Sequence, residues 1–239
     1  MIVPQGQTPL RERENVTTVL WDLDGTLVGI KQRRFRALMP LVAAWSFRDL
    51  MPPSRFLRKL RDALPQVRAN ASSDTNYHMM IQILADSAGV DFADADMRMR
   101  HLADVEFPRL RRLFYPVPEA QGAVSQLAGQ GIRQVVATNP LWPESTVTAR
   151  LSWGGLDPAV FQHITSGETM RRSKPRVDFY RELLDVLGLP ADECVLIGND
   201  AVQDSPAADL GIPVFILGIT GGWAELPSWL GLREAPCSS

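Results

Sequence analysis

"VLWDLDGTLVG", Val19–Gly29, is an apolar run that stops at two aspartates one residue apart, with Gly25 and Thr26 behind them. A short apolar run with β-branched residues reads as a buried strand. Side chains two residues apart along a strand point the same way, so Asp22 and Asp24 are expected to face one site, unless the chain has already begun to turn. Neighbouring carboxylates repel unless a cation or a raised pKa relieves them. A hard divalent cation such as Mg²⁺, which takes oxygen ligands, would supply that relief. The bland alternative is a simple turn, because Asp, Gly and Thr are all turn residues.

Further apolar runs of the same kind follow at 134–138, 194–198 and 213–217, with a weaker one at 161–165. Helical stretches lie between them. Residues 119–129 read as one, and Val177, Tyr180, Leu184 and Leu187 share a face ahead of a capping Gly188. Strands alternating with helices predict an α/β fold, a Rossmann-like parallel sheet covered on both faces. Residues 31–114 break the rhythm with four helical stripes and no strand. These are Phe35 to Trp45 (with Pro40 inside), Phe56 to Leu64, Met79 to Leu84, and Leu102 to Leu113. The expected organisation is a polar lead-in at 1–15, an α/β core at 16–30 and 115–239, and an inserted all-helical domain at 31–114.

The chain has 239 residues, 45% hydrophobic and 22% charged, the profile of a soluble globular protein. It has no apolar run long enough to span a bilayer and no signal-peptide centre at its start. Its two cysteines, Cys194 and Cys237, suggest no disulfide, and a reducing cytoplasmic setting is expected. The net charge of −2 conceals an asymmetry: residues 31–113 hold 15 basic and 9 acidic side chains, a net of +6. A basic helical surface would attract an anionic substrate. Nucleic acid is disfavoured because the basic residues are scattered and no aromatics interleave with them.

Three further strand ends carry polar groups. Thr138 and Asn139 offer a hydroxyl and an amide to a phosphoryl oxygen, or else cap a helix. Lys174 is one of only three lysines in a chain rich in arginine, and its compact ammonium suits neutralising a phosphoryl group and a carboxylate together. Gly198-Asn199-Asp200, with Asp204 four residues on, offers oxygen ligands to a cation or an Asx-turn into a helix. Dispersed His78, His101 and His163 read as structural.

In this order, Asp22-Leu-Asp24-Gly-Thr26, Thr138, Lys174-Pro175 and Gly198-Asn-Asp200 with Asp204 resemble the haloacid dehalogenase (HAD) superfamily, and the helical insertion resembles its type-1 cap. The resemblance implies a phosphatase-type hydrolase in which Asp22 attacks phosphorus and Asp24 serves as acid and then base. Thr138 and Asn139 would bind the phosphoryl group, and Lys174 would offset charge at the nucleophile. Mg²⁺ would be held by the Asp22 side chain, the Asp24 carbonyl and Asp200 (or Asn199), with Asp204 supporting them from behind. The implied substrate is a small phosphorylated metabolite. A phosphomutase would keep the same residues, and a catalytically silent binding module would have no reason to. Dehalogenase chemistry needs no acid at position 24.

Overall fold

The computed structural model describes residues 16–231. The lead-in at 1–15 and Cys237 therefore lie outside the described residues. The core is a five-stranded sheet built from β1 (Thr18–Trp21), β4 (Arg133–Val136), β5 (His163–Ile164), β6 (Cys194–Gly198) and β7 (Val214–Ile216). Its order is β5-β4-β1-β6-β7, with every pairing parallel. Even the short apolar run at 161–165 contributes a strand.

Alternation along the strands sorts the core into two layers. Val19, Trp21, Val136, Val195 and Ile197 lie with residues of α5 (Pro118–Gly129) and α6 (Glu144–Trp153). Leu20, Val135, Ala137 and Leu196 turn the other way, towards Phe179, Tyr180 and Leu183 of α7 (Val177–Leu187). Gly188 ends α7 in the left-handed conformation, as its position predicts. Both faces are covered, which is why the strands are continuously apolar instead of alternating. The free Cys194 is buried in β6, and burial pushes its thiol up to about 11.

Between β1 and the rest of the sheet the chain builds α1 (Gln32–Ser46), α2 (Pro53–Arg68), α3 (Asn76–Ala88) and α4 (Phe92–His101). Three details differ from expectation. A two-stranded antiparallel ribbon, β2 (Val28–Ile30) with β3 (Phe114–Pro116), ties the two ends of the helical segment together. The stripe from Leu102 to Leu113 is not an α-helix: it is a π-turn over Leu102–Glu106 followed by a 3₁₀ stretch over Phe107–Leu113. In α1 the buried face is Met39, Ala43 and Ala44, whereas Leu38 and Trp45 are exposed, and Pro40 does not end the helix. Phe107 and Phe114 each lie 5.4 Å, ring to ring, from Trp153 of α6, so aromatic packing joins the root of the segment to the core.

Two short helices complete the fold, α8 (Ala201–Asp204) after β6 and α9 (Leu226–Trp229) near the end. Among the described residues no helix is long and apolar enough to cross a membrane.

Candidate active site

Register brings the polar residues to one rim. Trp21 pairs with Val136 on one side and with Ile197 on the other. The Ala137 amide donates to the Trp21 carbonyl, and the Asp22 amide to the Ile197 carbonyl. Asp22, Thr138 and Asn199 therefore follow at the carboxyl ends of three adjacent strands. The strand order reverses direction at β1, and ligands of open parallel sheets bind at such a point. A cavity of 770 Å³ opens there, lined by Asp22, Asp24, Thr138, Asn139, Lys174 and Arg150 among others.

The two aspartates do not share a partner. β1 ends at Trp21, so the chain is already turning at the aspartates, yet both line this one cavity and differ only in partner. Lys174 Nζ donates to Asp22 Oδ1 at 2.9 Å and to Asp204 Oδ1 at 2.6 Å. Asp24 Oδ2 instead accepts from Arg150 Nη1 at 2.6 Å. Asp24 Oδ1 is buried without a hydrogen-bond partner, as is Asn139 Oδ1. Thr138 is buried, and its carbonyl accepts from the Thr165 hydroxyl.

Lys174 and Asp204 are among the most buried charges in the chain, with side chains 1% and 0% exposed. Burial raises the Asp22 carboxyl to about 6, overriding the opposing pull of Lys174, and the charge of Asp204 adds to the rise. Burial would push the Lys174 ammonium down, but the charges of Asp22 and Asp204 reverse this and hold it well above its ordinary value. One ammonium thus faces two carboxylates, and Asp22 remains short of positive charge.

Asp204 reaches this position because the strand end leaves room for it. A Cβ on Gly198 would run into the Asp204 carboxylate. Asp204 Oδ2 also accepts from the Asp200 amide at 3.2 Å. Asp200 caps α8, its Oδ1 accepting from the amides of Val202 and Gln203. Asn199 packs over Gly25, whose φ of 96° excludes a side chain there in any case. Asp200 thus makes the Asx-turn that the motif offered.

The donors at this rim suit a hard divalent cation: they are oxygens, with neither thiolate nor imidazole among the residues named. Asp22 Oδ2 takes no part in the Lys174 contact. The bridge between Asp24 and Val28 uses the Leu23 carbonyl and the Gly25 amide, leaving the Asp24 carbonyl out of it. Among the described residues no three His, Cys, Asp or Glu side chains converge as a ready cage. A cation here would draw on backbone and amide oxygens besides Asp22.

Sequence reasoning missed Arg150. It is 3% exposed, sits in the last turn of α6 and is anchored by Nε to the Thr146 carbonyl at 3.1 Å. A buried guanidinium 126 positions from its carboxylate partner leaves no local trace, least of all in a chain rich in arginine.

The haloacid dehalogenase-like hydrolase family model matches residues 16–209. A phosphoglycolate phosphatase of Rhodospirillum rubrum is 30% identical over 132 residues, 49% of this chain and 54% of that protein, so the match spans about half of that relative. A plasmid-encoded phosphoglycolate phosphatase of Cupriavidus necator is 28% identical over 206 residues, covering 84% of this chain and 80% of the relative. Among solved structures, CbbY from Rhodobacter sphaeroides in complex with phosphate aligns with a TM-score of 0.55 at 19% identity, over 91% of this chain and 99% of that one. That last likeness speaks for the fold alone. With the family match covering most of the chain, and with the sheet and rim in agreement, the protein belongs to the haloacid dehalogenase-like hydrolases.

Proposed function

We propose that the protein is a Mg²⁺-dependent phosphomonoester hydrolase acting through an aspartyl-phosphate on Asp22. The observation that carries this reading is the division of labour between the two aspartates. Asp22 is fixed by Lys174, with Oδ2 left over, whereas Asp24 is held apart by Arg150. An attacking carboxylate and a separate acid two residues on are what phosphoryl transfer to and from a side chain requires.

Asp22 Oδ2 attacks phosphorus in line as the ester bond breaks. Asp24, with Oδ2 paired to Arg150, uses Oδ1 to give a proton to the leaving oxygen. The same Oδ1 then takes a proton from water as the water displaces Asp22 from phosphorus. Thr138 and Asn139 hold the phosphoryl oxygens, and Lys174 keeps Asp22 in place and offsets its charge. Mg²⁺, when bound, supplies electrostatic stabilisation of the transferring phosphoryl group. Asp22, the Asp24 carbonyl and Asn199 or Asp200 would hold it. The capping role of Asp200 Oδ1 favours Asn199.

In this reading residues 31–114 cap a core made of 16–30 and the chain from 115 onward. The substrate is a small phosphorylated metabolite, in keeping with the names of the relatives, and the setting is cytoplasmic. The test is turnover of p-nitrophenyl phosphate by wild type and Asp22→Asn, with Mg²⁺ and with chelator. Turnover that needs both Mg²⁺ and Asp22 is expected. A wild type that turns over nothing, or an Asp22→Asn variant as active as wild type, refutes the reading.

A further inference from the structure

The 770 Å³ cavity at the strand ends has a neighbour. A second cavity of 450 Å³ lies within the helical segment, lined by Met39, Ala43, Phe56, Leu60, Met80 and Met99 among others. Arg36, Arg68, Leu141 and Trp142 line both cavities, so the two spaces meet at a common neck. Leu141 and Trp142 follow Thr138 and Asn139 with only Pro140 between, which places the apolar space next to the phosphoryl-binding loop.

Close-packed interiors leave few voids larger than one water. At about 30 Å³ per water, this space would hold many, and its walls give them almost nothing to bond. It is the size of a ligand pocket, not a packing defect. Methionines on three helices make the walls adaptable to a flexible guest. At the neck, Arg36 and Arg68 are exposed, and neither forms an ion pair with a carboxylate among the described residues. They attract a charged head and leave the body to enter the apolar chamber.

We infer that the substrate is a phosphomonoester with an apolar alkyl or aryl body, its phosphoryl group at Asp22 and its body in the chamber between α1, α2, α3 and α4. The phosphate ester of a two-carbon acid such as glycolate would leave the chamber unfilled and would bring a carboxylate, not an alkyl group, to its mouth. This inference rests on the phosphatase reading above for the position of the phosphoryl group.

The experiment measures kcat/KM for ethyl, butyl and hexyl phosphate and for phosphoglycolate. Each buried methylene contributes up to about fourfold, so hexyl over ethyl phosphate is expected to exceed about 30-fold, with phosphoglycolate below butyl phosphate. In Ala43→Leu, which fills the chamber, and in Leu60→Gln, which makes its wall polar, the hexyl-to-ethyl ratio is expected to fall below about fivefold. Two variants guard against one that fails to fold. A wild-type ratio near one, or a preference for phosphoglycolate, overturns the inference while leaving the phosphatase reading intact. If no ester is turned over at all, the phosphatase reading fails, and thermal shift with phosphonates still decides the chamber. Hexylphosphonate raising the melting temperature well above ethylphosphonate supports the chamber, and equal shifts overturn it.

Discussion

Burial of Asp22 beside Asp204 leaves Lys174 as one ammonium between two carboxylates. That shortage has a consequence for stability. Asp22 rises from an ordinary 3.8 to about 6 because it is buried. Between those values the folded chain holds more protons than the unfolded one, so stability falls as pH rises through the window and stays lowered above it. Without divalent cations, Asp22→Asn should therefore melt above wild type at pH 7.5, with the gap closing below pH 4, as differential scanning calorimetry would show. Lys174→Met should do the reverse, losing about 3 kcal/mol in denaturant titration, because two buried carboxylates lose their counter-charge. Arg150 is a positioning residue for Asp24. Arg150→Met should cost an alkyl phosphate at least tenfold more kcat than p-nitrophenyl phosphate, whose leaving group needs little protonation, and Arg150→Lys should recover part of the loss. Equal losses on both substrates would indicate mere structural damage. Asp22, Asp24, Thr138 and Lys174 were legible because each sits at the end of an apolar run or beside a proline. Arg150 was not, because its partner lies 126 positions away and nothing local sets this arginine apart from the many others.

In the turn from β6 into α8, Gly198, Asn199, Asp200 and Asp204 each contact a different neighbour. Gly198→Ala would push Asp204 off Lys174, and should lower both melting temperature and turnover, with turnover falling at least 100-fold. Asn199→Asp tests the ligand assignment: the Mg²⁺ concentration giving half-maximal thermal stabilisation should drop about tenfold, since a carboxylate binds Mg²⁺ better than an amide. If Asp200 is the ligand instead, Asp200→Ala abolishes the Mg²⁺ shift and Asn199→Asp leaves it unchanged. The core strands, α5 and α7 were readable from period and length. The β2–β3 ribbon was not, because three-residue strands carry too few positions to show a period. The stripe at 102–113 showed helical spacing, yet a π-turn and a 3₁₀ stretch bring the same side chains inward without an α-helix.

Across the whole molecule, the helical segment is pinned to the core at a point opposite its ribbon root. Asn76, buried at the start of α3, donates to the Pro140 carbonyl at 3.2 Å and to Ser173 Oγ at 3.1 Å. Arg172 Nη1 reaches back to the carbonyls of Asn70 and Ser72. The loops bearing Thr138 and Lys174 thus hold the start of α3 and the α2–α3 connection directly, and Arg36 and Arg68 of the helical segment line the cavity at Asp22. Arg172→Ala should speed amide exchange across 69–75 while leaving β1 and β6 protected. None of this pinning was visible in the sequence: Asn76 is an ordinary polar residue far from any motif, and Arg172, two positions before Lys174, carries no mark of a partner a hundred residues away. Asp22 as the phosphoryl acceptor remains the claim on which the rest depends. Acid-quenched turnover followed by peptide mass spectrometry measures it most directly. The account predicts one phosphoryl group on the peptide containing Asp22, lost in Asp22→Asn, whereas turnover with Asp22 unmodified or with the label on another residue would contradict it.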